Sequence, residues 1–327
     1  MQFFLGFFLA IVMLFFGWVA LVVGQFNNPT AMSQWISDAY AKKEAIAHKI
    51  DGKKIIIVAG SNALFGVDSK ILEDAFGLPV VNYGVNAGIE LPYTLHAAKR
   101  VINKGDVVLM PLEYPMYSYD GTAGVQMIDY IFSRDGAFFW ELTLYEQFYM
   151  LWHVDFQRVS RGYFYDGGKP VTEGLYGAHH IDERGDQIES DVAHRSEWMW
   201  NEITNNYAHK PEKYGEEFDG DALGWKYLAS FVAWCEERDV KVVFMPSTLM
   251  KHTHYLENTK ERWFYEHIAD LVRQKGWSYV GIPYEYMYEK EMYFDTNFHL
   301  IHSAREMRTR QMAEELQVSS EMGVFKF

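Results

Sequence analysis

The stretch Lys54-Ile55-Ile56-Ile57-Val58-Ala59-Gly60-Ser61-Asn62 indicates the fold of this chain. Its first six residues form a mostly apolar, β-branched run between Gly52 and Gly60, which is typical of a fully buried strand in a parallel sheet. Ser61 follows the carboxyl end of that strand, where open α/β sheets bind their ligands. A serine after a strand also commonly caps a helix, so its position alone leaves both roles open.

Four further short apolar runs predict four more strands: Val80–Tyr83, Val107–Met110, Val240–Met245 and Ser278–Gly281. Helical patterns separate them, at about 69–76, 91–103, 222–238 and 257–275. A last helix, from Ser303 to about Leu316, begins with Ser303-Ala304-Arg305-Glu306, which has the form of a capping box. Strands that alternate with helices predict an α/β fold with a doubly wound, flavodoxin-like parallel sheet.

Composition excludes some classes of function. The chain has 327 residues and a formal net charge of −14, and it contains no basic patch. Nucleic acid is therefore not an expected partner, since phosphate binding needs clustered basic residues. The single cysteine, Cys235, rules out an internal disulfide. We expect no cofactor.

The first part of the chain predicts a membrane anchor. The segment 3–24 contains no charged residue, and 22 helical residues at about 1.5 Å each cross a bilayer core of about 30 Å. A cleaved signal peptide is the alternative, but no basic residue precedes the segment and the Val22-Val23-Gly24-Gln25 sequence is a poor cleavage site. Lys42 and Lys43 follow the span and taken literally would favour a cytoplasmic domain, but they lie too far from the span to fix its orientation. We place the following domain outside the membrane, in the periplasm or the extracellular space, because of the function argued below.

Three segments follow from these patterns. Residues 1–24 form the transmembrane anchor, 25–50 a juxtamembrane helix or linker, and 51–320 one α/β domain. Within that domain, at about 115–220, the alternation stops, aromatic residues crowd in, and helices are predicted near 125–132 and 142–154. Two interpretations stay open: ordinary core and surface loop, or an insertion that shapes a pocket or docks a partner beside the active site.

A second polar block, Asp295-Thr296-Asn297-Phe298-His299, precedes the last predicted helix. Together with Ser61 it supplies a nucleophile, a base and a group that orients the base. His302 is the alternative base, although it adjoins the predicted helix start. The pairs His252/His254 and His179/His180 are interpreted as surface histidines, because no carboxylate stands at metal-ligand spacing from them, and no metal site is predicted.

Three short blocks of the chain resemble the SGNH (GDSL-like) hydrolase superfamily. They are Ala59-Gly60-Ser61-Asn62, Asn82-Tyr83-Gly84-Val85-Asn86-Ala87-Gly88, and Asp295 to His299. The chain looks most like the membrane-anchored branch with the DltD-like teichoic acid D-alanylation proteins and the polysaccharide O-acetylation proteins. The resemblance spans about 54–121 and 240–316, and the segment between matches no pattern.

The chain departs from the pattern of that family at two places. Three residues separate Asp295 from His299 where the family has two, and Leu112-Glu113-Tyr114 stands where the family has a block with asparagine. An ionised Glu113 cannot donate a hydrogen bond to an oxyanion. Asn86 could replace the missing donor, or it could be a turn residue. Glu113 could orient substrate, or it could be a buried structural carboxylate.

The resemblance implies a serine acyl-transfer enzyme. Ser61 would attack an ester, His299 would move the proton, Asp295 would hold the imidazole, and the N–H groups of Ser61 and Gly84, with Asn86, would bind the oxyanion. It implies an O-acyltransferase or esterase acting on a cell-surface glycan, with a polytopic membrane O-acyltransferase as an expected partner. A non-catalytic scaffold of the same fold that binds a glycan or such a partner is the alternative.

Overall fold

The computed structural model describes residues 2–164 and 176–323. They fall into two compact units. The sheet unit comprises residues 38–87, 91–120 and 176–323, and the helical unit comprises 2–37, 88–90 and 121–164. Residues 165–175, within the segment at about 115–220 where the strand–helix alternation stops, lie outside the described residues.

The sheet unit is built on five parallel strands. They are β1 (Ile55–Ile57), β2 (Val80–Asn82), β3 (Val107–Met110), β4 (Lys241–Phe244) and β6 (Ser278–Tyr279), in the spatial order β2-β1-β3-β4-β6. The prediction of an α/β fold with five parallel strands is confirmed. The sequence patterns missed a second, two-stranded parallel sheet of β5 (Leu249–Met250) and β7 (Met287–Tyr288).

Helices precede, separate and follow the strands. They are α1 (Gln2–Val23), α2 (Gln34–Ala47), α3 (Ser61–Gly66), α4 (Ser69–Phe76), α5 (Glu90–Ala98), α6 (Val125–Arg134), α7 (Leu144–His153), α8 (Phe156–Phe164), α9 (Glu197–Asn201), α10 (Leu223–Glu236), α11 (His254–Glu257), α12 (Thr259–Gln274) and α13 (His302–Glu321).

One predicted helix start is wrong. Helix α13 begins at His302 with Ile301 as its N-cap, and no side chain caps it. Ser303 therefore lies inside the first turn and does not form the expected capping box. The Ser303 to Glu306 pattern gave a wrong start because two backbone hydrogen bonds fix the first turn of α13 instead. The His302 N–H donates to Ser190 O, and the Arg305 N–H donates to Ile301 O.

The core of the sheet unit is closed at the amino ends of its strands by a buried ion pair. Lys54 Nζ lies 2.9 Å from Asp106 Oδ2, and both side chains are fully buried. The Lys54 N–H also donates to Asp106 Oδ1 at 3.0 Å. Because these residues precede β1 and β3, the pair fixes the register of the two central strands. Ile55, Ile56 and Ile57 are 0% exposed, as expected for a strand covered on both faces.

The helical unit contains α1, which is long and apolar enough over Phe3–Val23 to cross a membrane as a signal peptide or an anchor does. The last four carbonyls of this helix, which have no partner within it, are all hydrogen-bonded. Their donors are the Gly24 N–H for Ala20, the Tyr163 hydroxyl for Leu21, the Gln25 N–H for Val22 and the Phe26 N–H for Val23. The carboxyl end of α1 is therefore part of the folded helical unit.

Candidate active site

The turn after β1 presents Ser61 as the first residue of α3. Gly60 is the N-cap, no side chain caps the helix, and Ser61 is half-buried. A side chain at position 60 would lie 2.5 Å from Glu113 Oε1 and 2.7 Å from the Ala87 Cα, so only glycine fits there. The serine is thus not the helix cap that a strand–serine pattern suggests, and its hydroxyl is available for another role.

Glu113, which follows β3, fixes the backbone of this turn through two hydrogen bonds. Its carboxylate accepts a hydrogen bond from the Gly60 N–H at 2.9 Å on one oxygen and from the Asn62 N–H at 3.0 Å on the other. Glu113 is 2% exposed. Both oxygens are thus committed to the backbone on either side of Ser61. Of the two roles that the sequence left open, the structure places Glu113 in the structural one.

Arg308 of α13 completes the support of α3. Its guanidinium donates to the Asn62 carbonyl at 3.1 Å, the Gly66 carbonyl at 3.2 Å and the Asn62 Oδ1 at 3.1 Å. The Asn62 amide in turn donates to Pro111 O at 2.8 Å. Arg308 and Asn62 are both fully buried. The short helix that carries Ser61 is therefore fixed by several buried hydrogen bonds from Arg308 and Asn62, which hold it in one geometry; among the described residues, Arg308 Nε has no hydrogen-bond partner.

The second half of the site is the pair Asp295 and His299. His299 Nδ1 lies 2.7 Å from Asp295 Oδ1, and the two residues are 5% and 8% exposed, His299 being the more buried. An ionised carboxylate only accepts hydrogen bonds, so Nδ1 carries the proton and Nε2 keeps its lone pair. That is the tautomer in which an imidazole can take a proton from a nucleophile.

Tyr176 is a third member of this group that sequence analysis missed. Its hydroxyl donates to Asp295 Oδ2 at 2.5 Å and lies 3.3 Å from His299 Nδ1. Burial alone would raise the pKa of Asp295. The His299 imidazole and the hydrogen bonds from His299 and Tyr176 outweigh that effect, so the pKa of the Asp295 carboxyl lies below its ordinary value. The carboxylate stays ionised in the pH range where an imidazole titrates.

Phe65 connects the two halves of the site. The His299 ring stacks on the Phe65 ring with a centroid distance of 4.1 Å and an interplanar angle of 9°. Phe65 and Ser61 are four residues apart in α3, so they lie on the same face of that helix. Within the described ranges, the Ser61 hydroxyl and N–H form no hydrogen bond. Ser61 and His299 therefore share one face of α3 without a direct bond between them.

The Gly84 turn packs against the turn that carries Ser61, and the N–H and C=O groups of Gly84 are both hydrogen-bonded to side chains. A Cβ at position 84 would lie 2.6 Å from Gly60 O, so the glycine allows close approach of the two turns. The Gly84 N–H donates to Asn82 Oδ1 at 3.1 Å. The Gly84 carbonyl accepts from Lys43 Nζ. The predicted oxyanion donor is thus already hydrogen-bonded to a side chain of its own segment.

Asn86 lies in the same segment, next to Ala87, whose Cα approaches Gly60. The chain therefore brings Asn86 to the neighbourhood of Ser61, half-buried. Its role as a donor to an oxyanion stays a prediction.

Part of the segment at 115–220 reaches the site. Asp186 accepts hydrogen bonds from the Ser69 N–H at 2.7 Å and from Asn82 Nδ2 at 2.9 Å. Asn82 Nδ2 also donates to the Ala63 carbonyl of α3 at 2.8 Å. Together with Tyr176, these contacts agree with the interpretation of the segment as one that builds the site. No sequence spacing indicates them, because each joins residues more than 100 positions apart except Asn82–Ala63.

His302, the alternative base, is engaged outside the pair of Asp295 and His299. His302 Nε2 lies 3.2 Å from Glu306 Oε1, and its Nδ1 lies 2.5 Å from Arg305 Nη2. Both ring nitrogens are thus used within the first turn of α13, which makes His302 a poor alternative base.

His254, interpreted from the sequence as a surface histidine, lies close to two carboxylates. The chain brings Glu216 and Glu261 to it, with the three potential ligand atoms within 4.8 Å of one another. Among the described residues this is the group that could hold a metal ion. Glu216 Oε1 lies 3.2 Å from His254 Nε2, and Glu261 Oε1 accepts from the Gly215 and Glu216 N–H groups. Glu216 lies 38 positions before His254 in the chain, so no sequence spacing indicates that the two residues meet.

No protein-family model, curated protein or solved structure matches this chain. The resemblance to the SGNH hydrolases stays a prediction that rests on the three short blocks quoted above.

Replacing Glu113 with glutamine tests the support of Ser61. An amide keeps one acceptor oxygen but turns an NH₂ group towards a backbone N–H, so one buried donor loses its partner. We expect Glu113→Gln to lower the free energy of unfolding by about 1–3 kcal/mol, measured by urea unfolding of the detergent-solubilised protein. The exposed Glu237 provides the control, since Glu237→Gln should stay within about 0.5 kcal/mol of the wild type. A Glu113→Gln protein as stable as the control would contradict the assigned role.

Lys43 makes the stability depend on pH. Burial lowers the pKa of the Lys43 ammonium from 10.5 to about 7, against the opposing effect of the Asp186 and Asp182 carboxylates. Between these values the unfolded chain holds a proton at Lys43 that the folded chain releases, so this group makes stability rise with pH. We expect Lys43→Met to remove roughly 1–2 kcal/mol of the rise between pH 7 and pH 9, measured by urea unfolding at both pH values. The exposed Lys53 is the matched control, and the same rise in Lys43→Met and Lys53→Met would refute the effect.

Proposed function

We propose that this chain is a serine acyl-transfer enzyme of the SGNH type. The observation that carries the proposal is the buried pair of His299 and Asp295, whose imidazole stacks on Phe65 on the face of α3 that bears Ser61. A half-buried serine on the same helix face as a buried histidine whose Nε2 keeps its lone pair supplies the nucleophile and the base that such catalysis needs.

The chemistry proceeds in two steps. The Ser61 Oγ attacks the carbonyl carbon of an ester while His299 Nε2 takes the hydroxyl proton. The bond to the leaving alcohol breaks as His299 returns that proton to it, which leaves an acyl group on Ser61. An acceptor hydroxyl then repeats the sequence in reverse, with His299 again moving the proton. Asp295 stabilises the imidazolium in both steps, and Tyr176 fixes Asp295.

The set of hydrogen-bond donors for the oxyanion is the least complete part of the site. The Ser61 N–H, at the amino end of α3 and without a partner in the described chain, is the donor best placed for it. The Gly84 N–H would have to exchange Asn82 Oδ1 for the substrate oxygen. Asn86 is the candidate for a further donor.

The sheet supports the same assignment. The strand order β2-β1-β3-β4-β6 is that of a flavodoxin-like, doubly wound sheet. Ser61 and Glu113 follow the carboxyl ends of β1 and β3, and the Gly84 turn follows β2, so the site lies at the edge where such sheets bind ligands. The SGNH hydrolases, which the three sequence blocks resemble, place their nucleophile there.

The proposed setting is the outer face of a membrane. We take α1 as a retained anchor rather than a cleaved signal peptide, because its last carbonyls and its Trp18 side chain are hydrogen-bonded within the helical unit. An acyl-transfer enzyme held there suits a cell-surface glycan as acceptor, with a polytopic membrane O-acyltransferase supplying the acyl group. Hydrolysis of a carboxylic ester is the same chemistry with water as acceptor.

A second candidate is a non-catalytic scaffold of this fold that binds a glycan or a membrane partner. Two observations favour it: the Ser61 hydroxyl does not bond to His299 in the described chain, and the Gly84 N–H is occupied. A loose serine–histidine contact is also common in enzymes without substrate, which keeps the catalytic assignment first.

Labelling with a fluorophosphonate probe separates the two candidates. The detergent-solubilised wild type should label, and Ser61→Ala and His299→Ala should not, because the probe requires a serine activated by a base. His302→Ala is the matched control and should label like the wild type, since its ring is engaged by Arg305 and Glu306.

Folding of each variant is checked by circular dichroism. Labelling that survives in Ser61→Ala would show that a residue other than Ser61 is the nucleophile. A wild type that does not label would support the scaffold.

A further inference from the structure

We propose that the apolar face of α7 is buried in the bilayer, in the same leaflet as the carboxyl-terminal half of α1. This surface consists of Leu144, Phe148, Leu151 and Trp152, and we call it the α7 face. The inference rests on the proposal that α1 is a retained anchor, and it adds a second membrane-embedded element to the helical unit.

The residues of the α7 face recur at the spacing of one helical face, at i, i+4, i+7 and i+8. Three of them are large apolar side chains that the protein leaves uncovered: Leu144 is 83% exposed, Phe148 53% and Trp152 73%. The only carboxylate of α7, Glu146, is fully buried and accepts hydrogen bonds in the capping box with Thr143. The exposed face of the helix therefore carries no acidic group and no lysine or arginine.

An uncovered apolar face of this kind needs a nonaqueous partner, and its neighbour identifies the partner. An open groove of about 440 Å³ runs between α7 and α1, lined by Phe148, Leu151 and Trp152 on one side. On the other side it is lined by the α1 residues Ile11, Leu14, Phe15 and Trp18. The α7 face is thus continuous with the apolar surface of the helix that is proposed to cross the membrane.

The rise per residue of α1 gives the depth of the groove residues in the bilayer. Trp18 and Ile11 lie five and twelve residues before the last residue of α1, Val23, which places them about 8 Å and about 18 Å from its carboxyl end. A bilayer core is about 30 Å thick. One leaflet is about half of that core, so the groove residues from Leu14 to Trp18 lie inside one leaflet and Ile11 lies near the midplane of the bilayer. The α7 face cannot contact them while staying in the aqueous phase.

The polar atoms at the contact agree with a site without water. The indole N–H of Trp18 donates to the Leu151 carbonyl at 2.7 Å. Leu151 belongs to the last turn of α7, where a carbonyl has no partner within the helix. In the same way the Tyr163 hydroxyl of α8 donates to the Leu21 carbonyl at 2.9 Å. Backbone groups in lipid must be satisfied internally, and each of these side chains satisfies one.

The exposed aromatic residues around the α7 face suit the level of the lipid headgroups. Trp140 and Tyr145, just before and within α7, are 59% and 56% exposed. Tryptophan and tyrosine are the residues that concentrate at membrane interfaces, because one end is apolar and the other forms hydrogen bonds. Phe164, next to Tyr163 at the end of α8, is 83% exposed. The partner is therefore a lipid bilayer rather than water.

Spin labelling of the full chain in lipid nanodiscs tests the proposal. Single cysteines replace Phe148 and Trp152 in a Cys235→Ala background, and each label's collisions with oxygen and with a water-soluble nickel chelate are measured. We expect a several-fold higher oxygen-to-nickel accessibility ratio at both positions than at Val318→Cys, a 53% exposed site on α13 that serves as the aqueous control. Phe16→Cys on α1, 64% exposed, is the lipid control.

The outcomes separate this inference from the proposals on which it rests. Oxygen-to-nickel ratios at positions 148 and 152 equal to the ratio at position 318 would overturn the inference. A high ratio at position 16 in the same experiment would still support α1 as an anchor. Labels at 148 and 152 shielded from both reagents would also overturn the inference, in favour of a protein partner or a second copy over the α7 face. A low oxygen-to-nickel ratio at position 16 would contradict both the membrane anchor and the inference that rests on it. None of these results bears on fluorophosphonate labelling at Ser61.

Discussion

The candidate site depends on one interaction, the Glu113 carboxylate that accepts the N–H groups of Gly60 and Asn62. These two groups flank Ser61 in the chain, so a single buried carboxylate fixes the backbone on both sides of the proposed nucleophile. The first turn of a helix has free N–H groups that favour a negative charge, and here the charge comes from the end of the neighbouring strand. Glycine at position 60 is required because any side chain would collide with the Glu113 oxygen.

A layer of polar side chains extends from this interaction across the carboxyl ends of the strands. Asn82 links the Gly84 turn, the Ala63 carbonyl of α3 and Asp186. Lys43 reaches the Gly84 carbonyl from α2. Buried polar groups are costly when unpaired and specify a single geometry when satisfied. In the proposed function, this layer sets the relative position of the nucleophile turn and the turn that would bind the oxyanion.

The sequence predicted the elements whose signal is local. The run from Ile55 to Val58 is apolar because a central parallel strand is covered on both faces, and Gly77 ends α4 in the left-handed conformation at φ 65°. Asp295 and His299 were singled out because both belong to one short polar block just before the last predicted helix. Tyr176, Asp186 and Glu216 were missed because their partners lie far away in the chain, and nothing in their own neighbourhoods indicates them. Strands β5 and β7, two residues each, are too short to form a pattern.

The proposed function requires that Ser61 forms an acyl-enzyme with His299 as its base. The most direct test is acid-quenched peptide mass spectrometry after brief incubation of the wild type with p-nitrophenyl acetate. We expect the added mass of one acetyl group on the peptide that contains Ser61, located to that serine by fragmentation and absent in His299→Ala. An acetyl group on another residue, or equal acetylation of Ser61 in His299→Ala, would contradict it.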